Sequence, residues 1–173
     1  MRIFLVGFMC SGKSTVGELL SHLLNYPFFD VDQEVVKKEG MSVPQIFQKK
    51  GEEYFRNLEF ETLKELSLKE KAIISTGGGL GANSKAMKFM KSKGKVVFLD
   101  IDFETFLSRC GDSEERPLLA KPIQELKKLF HERKRIYERA DIRIKGEKKP
   151  EEIAREILQF LKGTPFVGEE GTA

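Results

Sequence analysis

Gly7-Phe8-Met9-Cys10-Ser11-Gly12-Lys13-Ser14, entered from the apolar run Ile3-Phe4-Leu5-Val6, decides how the rest of the chain is read. The octet fits G-x-x-x-x-G-K-[ST] at every fixed position and lies between a predicted strand and a predicted helix, the context in which that pattern cradles phosphate. A triphosphate is a dense cluster of negative charge. The glycines let the backbone wrap so that successive N–H groups point inward at it. The amino end of the following helix adds partial positive charge. Gly7, Cys10, Ser11, Gly12, Lys13, Ser14 and Thr15 are therefore the expected nucleotide contacts. Lys13 can reach the β- and γ-phosphates, and the Ser14 hydroxyl is placed to ligate Mg²⁺.

Outward from this junction, four apolar runs read as buried strands: Ile3–Val6, Pro27–Phe29, Ala72–Ser75 and Val96–Leu99, with a weaker fifth at Ile142–Ile144. Between them apolar residues recur at three-and-four spacing, as in Val16, Leu19, Leu20, Leu23 and Leu24. Strand–helix alternation with near-continuous apolar strands predicts an α/β fold, a mostly parallel sheet with helices on both faces. Ligands in such sheets bind beyond the carboxyl ends of the strands, so the residues after each strand are the candidates.

After the second strand stand Asp30 and Asp32. If strand geometry continues, the two carboxylates share a side. One can then sit near a metal, through water, while the other meets an acceptor hydroxyl; alternatively one of them, Asp32 as readily as not, only caps the next helix. Arg56 and Glu59 are three apart, neighbours on one helix face, either a carboxylate-gripping fork or a surface ion pair. Gly77-Gly78-Gly79 is costly in chain entropy unless backbone must come close to something, which favours a ligand over a plain turn. Arg133 and Tyr137 lie four apart in HERKRIYERA, where a basic helix face is also a sufficient reading.

At 173 residues the chain is predicted to be one domain over residues 1–162, with a disordered tail at 163–173. Residues 111–122, GDSEERPLLAKP, lack periodicity and form a loop long enough to act as a mobile lid. A net charge of +3 argues against a nucleic-acid partner, and no apolar stretch reaches the ~18 residues of a membrane span. The amino terminus enters a strand at once, so no signal peptide is expected and the cytoplasm is the default. Cys10 and Cys110 show no metal-ligand spacing and are expected as free thiols; His22 and His131 are expected in surface or structural roles. The excess of lysine and glutamate, 21 of each, over eight asparagines and glutamines is a bias typical of heat-adapted proteins.

Taken in order, GFMCSGKST, FFDVD, GMSVPQIFQKKGEEYFRNLE, STGGG, RPLL and RKRIYERA resemble the shikimate kinase family over residues 1–162. The resemblance implies a P-loop kinase fold with a five-stranded parallel sheet and a substrate-binding region at about 31–60. It implies transfer of the ATP γ-phosphate to the 3-hydroxyl of shikimate, a step of aromatic amino-acid biosynthesis, with Mg²⁺ as cofactor and action as a monomer. By position, Lys13 and Ser14 match the phosphate and metal contacts, Asp30 the metal-side acid acting through water, and Asp32 the group that binds the acceptor hydroxyl. Arg56 and Arg133 match the arginines gripping the shikimate carboxylate, Gly77, Gly78 and Gly79 the turn lining the ring, and Glu59 a support of that pocket. Arg116 matches the lid arginine that closes over the transferring phosphate, so the catalytic set is Lys13, Asp32 and Arg116. Arg109 matches an adenine-stacking arginine. Two departures stand out: the late adenine loop reads Lys148-Lys149-Pro150 rather than Arg-Asn-Pro, and the third strand ends Ser75-Thr76 without an acidic metal ligand. Rival readings are another small-molecule kinase on this fold, acting on gluconate or a nucleoside monophosphate, and a nucleotide-dependent switch presenting a surface to a partner protein.

Overall fold

The strand that feeds the phosphate loop lies at the centre of the sheet. The computed structural model describes residues 1–110 and 121–163. Their elements run β1 (Arg2–Val6), α1 (Lys13–Leu24), β2 (Phe28–Asp30), α2 (Val31–Glu39), α3 (Val43–Lys50), α4 (Glu52–Leu66), β3 (Ala72–Ser75) and α5 (Gly78–Gly81). They continue α6 (Ser84–Lys93), β4 (Lys95–Asp100), α7 (Phe103–Cys110), α8 (Ile123–Tyr137), β5 (Ile142–Lys145) and α9 (Pro150–Leu161). The sheet order is β2-β3-β1-β4-β5, and every pairing is parallel.

Because side chains alternate along a strand, β1 feeds two cores. Ile3 and Leu5 join Val16 and Leu20 of α1 and Ile153 and Ile157 of α9 on one face. Phe4 and Val6 join Val35, Leu63, Met87, Phe106 and Phe130 on the other, where α2, α4, α6, α7 and α8 pack. Burial on both faces is why β1, β3 and β4 read as unbroken apolar runs. β2 is a three-residue edge strand, half-buried throughout, and it runs one residue later than the predicted Pro27–Phe29.

That shift corrects the expectation for the acidic pair. Strand geometry stops at Asp30, and α2 begins at Val31, so Asp30 and Asp32 do not share a strand face. Asp30 is the residue that caps: its Oδ1 accepts from the Gln33 amide at 3.1 Å, while Asp32 lies in the first turn of α2. The thiol expectation is corrected as well, because Cys10 and Cys110 form a disulfide with Cα atoms 6.0 Å apart. Left-handed backbone at Cys10 (φ 62°) turns the phosphate loop toward the last residue of α7. A contact across 100 residues leaves no trace in cysteine spacing.

Candidate active site

The phosphate loop closes at Gly12, whose φ of 96° suits only glycine and which caps α1 without any side-chain bond. Helix α1, like α3, α5 and α6, carries no acidic residue in its first turn, but Ser42 and Asn83 cap α3 and α6 while no side chain caps α1. Its open N–H groups and dipole therefore suit an external anion. The Ser11 hydroxyl is 1% exposed and has no hydrogen-bond partner among the described residues, an arrangement that calls for an incoming polar atom. Lys13 lies across the loop, its Nζ donating to the carbonyls of Gly7 (2.6 Å) and Phe8 (3.1 Å).

A cleft of about 410 Å³ opens over this loop, lined by Cys10 through Thr15, Asp30, Asp32 and the start of the glycine turn. Ser14 Oγ donates to Asp30 Oδ2 at 3.3 Å, which sets a hydroxyl and a carboxylate side by side at its edge. Among the described residues no group of three or more His, Cys, Asp or Glu side chains could cage a metal ion. The oxygen-only pair fits Mg²⁺, which dehydrates reluctantly and is ordinarily held by one or two protein groups plus phosphates and waters. Ser75 is buried at the end of β3, and Thr76 is turned inward, its Oγ1 donating to Leu5 O at 2.9 Å.

A second, smaller cavity of about 80 Å³ adjoins the first and shares Met9, Asp32, Gly77 and Gly78 with it. Its remaining lining includes Arg56, Glu59, Gly79 and Arg133, with Val43, Phe47 and Phe55 as an apolar wall. The two candidate arginines therefore meet in one pocket. Arg56 Nη1 donates to Glu59 Oε1 at 2.8 Å, and its guanidinium lies over Phe47 and Phe55 at 5.8 and 5.4 Å from the ring centroids. Glu59 is 1% exposed, so the pair is no surface ion pair. Burial pushes its carboxyl up to about 7 against the opposing pull of Arg56, and the neighbouring charge of Asp32 adds to the rise. Its second oxygen has no hydrogen-bond partner among the described residues. Arg133 forms no ion pair with any described carboxylate within 4.0 Å, which leaves its charge available to an anion from outside.

The glycine triplet accounts for this convergence. A Cβ on Gly77 would lie 2.9 Å from Asp32 Oδ2, one on Gly78 3.0 Å from Arg133 Nη1, and one on Gly79 2.4 Å from Arg56 Nη1. Each glycine thus makes room for a different charged side chain. Close approach was legible in the sequence; that the approaching groups belong to the protein itself was not.

Two of the candidate nucleotide contacts, Arg109 and Lys148, are not among the residues lining the cleft. Arg109 uses Nη1 on Cys10 O (3.1 Å) and Nη2 on Gly146 O (3.0 Å), tying the phosphate loop to the turn after β5. Lys148 pairs with Glu156 at 2.5 Å, away from the cleft lining. Arg116 and most of the predicted lid lie outside the described residues, as does the tail beyond Gly163. The sequence reading missed the apolar wall and gave no site role to Tyr137, which is buried and donates to Gly78 O at 2.7 Å.

A parallel sheet with a phosphate-binding loop after its central strand, an adjoining cationic pocket and a carboxylate common to both cavities defines a small-molecule kinase of the P-loop class. Residues 9–162 match the family described as shikimate kinase. The chain is 66% identical over 168 residues to the shikimate kinase of Aquifex aeolicus (strain VF5), covering 97% of this chain and 100% of that relative. The crystal structure of the Aquifex aeolicus enzyme superposes with a TM-score of 0.88 at 67% identity, covering 94% and 97% of the two chains. The Acinetobacter baumannii shikimate kinase in complex with shikimate superposes at 0.89 with 35% identity, covering 96% and 95%. The chain belongs to the shikimate kinase family.

Proposed function

We propose that the chain transfers the γ-phosphoryl group of ATP to the 3-hydroxyl of shikimate, giving shikimate 3-phosphate and ADP, a step of aromatic amino-acid biosynthesis. The observation that carries this reading is the position of Asp32, which lines both the phosphate-loop cleft and the arginine-lined pocket. A donor phosphate in one cavity and an acceptor hydroxyl in the other would meet beside its carboxylate.

The chemistry needs positioning and charge compensation more than covalent help. In this reading the α1 amino terminus and Lys13 take the phosphate charge. Arg56 and Arg133 hold the acid's carboxylate and so fix the direction of its ring. Asp32 accepts the hydrogen bond of the attacking hydroxyl and receives its proton as the new O–P bond forms and the bond to the ADP oxygen breaks. Ser14 and Asp30 would hold Mg²⁺, which when bound neutralises charge on the β- and γ-phosphate oxygens. Arg116 is proposed from the family resemblance to share that charge. Described helices include none long and apolar enough to cross a membrane. Both cavities are formed within one chain, which supports a monomer acting on small molecules; the cytoplasm is the compartment proposed for it.

The test is ADP release with shikimate, gluconate and AMP assayed side by side. Release driven by shikimate alone is expected; equal rates with gluconate, or none with any acceptor, would reject the proposal. Arg133→Ala and Arg56→Ala should each raise KM for shikimate by roughly 10- to 100-fold, the scale of one charge-assisted hydrogen bond, and leave KM for ATP within about twofold.

A further inference from the structure

We infer that Tyr137 is a positioning residue for the acid pocket, its one hydroxyl fixing both the Arg133 guanidinium and the glycine turn against which Arg56 rests. The inference builds on the assignment of Arg133 to the acid's carboxylate.

Tyr137 closes α8 one turn after Arg133 and is 1% exposed, its ring set against Phe98 at 5.3 Å between centroids. Packing alone would be served by phenylalanine, which this chain uses 14 times against three tyrosines. The other two, Tyr26 and Tyr54, are partly or well exposed. Burying a phenol hydroxyl is unfavourable unless it is hydrogen-bonded, so its partners indicate what it is for.

The hydroxyl donates to Gly78 O at 2.7 Å, and the Arg133 guanidinium lies beside it at the same turn. The two groups converge on one point of the turn: a Cβ on Gly78 would lie 3.0 Å from Arg133 Nη1 and 3.4 Å from the phenol oxygen. No described carboxylate lies within 4.0 Å of Arg133, and its guanidinium also faces the Phe8 ring, 5.9 Å away. The phenol is a polar neighbour of that guanidinium at the glycine turn. Because the peptide is planar, fixing the Gly78 carbonyl also fixes the plane leading to Gly79, where the Arg56 guanidinium comes closest to backbone. Burial pushes the phenol further above its ordinary range, so the hydroxyl stays a neutral donor at every working pH.

The experiment compares Tyr137→Phe, 4-aminophenylalanine at position 137, and Arg133→Ala, by steady-state kinetics, calorimetry with shikimate and thermal melting. Tyr137→Phe is expected to raise KM and Kd for shikimate roughly 10- to 100-fold, the cost of leaving buried polar groups unpaired, with KM for ATP within about twofold. The amine restores a donor and should recover most of the affinity. Unchanged shikimate affinity in Tyr137→Phe overturns the inference, as does an amine variant that binds as weakly as the phenylalanine one. A variant that melts much lower and weakens both substrates alike also overturns it, because the hydroxyl would then serve the fold. If Arg133→Ala itself binds shikimate normally, the assignment of the pocket fails; if it does not and Tyr137→Phe does, only the present inference falls.

Discussion

Reducing the Cys10–Cys110 bridge perturbs this molecule at one covalent bond, and the size of the effect follows from chain length. The bridge joins residues 100 apart, the phosphate loop to the end of α7. Cross-linking a loop of that length removes closure entropy from the unfolded chain equivalent to about 4.7 kcal/mol at 25 °C. Unfolding entropy of about 2.1 cal/mol/K per residue gives roughly 0.36 kcal/mol/K for the whole 173-residue chain. The melting temperature of the reduced protein, or of Cys110→Ser, should therefore fall by about 10–13 °C. The assay is calorimetric melting of oxidised and reduced protein in parallel with thiol titration under denaturant. Two titratable thiols are expected after reduction and none before. A reduced protein melting within about 2 °C of the oxidised one would refute the loop-entropy reasoning, and two free thiols in the untreated protein would refute the bridge itself.

Alanine at the glycine turn should separate binding from turnover. Gly79→Ala pushes on Arg56 and is expected to raise KM for shikimate about tenfold, whereas Gly77→Ala pushes on Asp32 and should lower kcat more than it changes either KM; identical profiles in steady-state kinetics would show that the turn acts as one unit. Asp32→Asn should cost about 10² or more in kcat, with calorimetric Kd values for both substrates within a few-fold; full activity would remove it from the chemistry. Glu59 has its folded pKa raised from 4.5 to about 7, so between those values the folded state binds a proton that the unfolded state has released. Stability from this group is therefore greatest at or below about pH 4.5, falls as pH rises toward 7 by up to about 3 kcal/mol, and is level above. Urea titrations from pH 4.5 to 8 should show that decline in the parent and lose most of it in Glu59→Gln.

The central strands were legible because burial on both faces writes itself as apolar runs, and β1, β3 and β4 lie where those runs are. The edge strand β2 was placed one residue early because only three half-buried residues define it. That single residue mattered, since it moved the strand-to-helix switch to Val31 and settled the capping role, left open between the two aspartates, on Asp30. The phosphate loop was fully legible as a local motif. The disulfide was not, because it is made by tertiary contact between distant elements.

Glu59 shows where the acid pocket could have been found earlier. Arg56 and Glu59 taken as a pair look like any exposed ion pair at three-residue spacing, and exposed pairs contribute little. Read along the whole helix, Glu59 stands in a different row. Phe55, Glu59, Thr62, Leu63 and Leu66 form the buried stripe of α4, so a carboxylate occupies a position where the 3.6-residue period calls for an apolar side chain. A charge in that row is costly unless a cation is drawn in to meet it. Arg56, three residues earlier, is the group so placed, and Glu59 receives it at 2.8 Å. The guanidinium is thereby held beside a cavity instead of extending into water, and the buried acid defines where an anionic ligand would find it. Moving the acid out of the row tests that chain of cause: Glu59→Leu should keep the fold, leave Arg56 with Glu52, 3.4 Å away, as its remaining described carboxylate partner, and raise KM for shikimate with little change for ATP. Unaltered shikimate affinity in a folded Glu59→Leu protein would show that Glu52 and the aromatic wall, Phe47 and Phe55, are enough to hold the arginine in place.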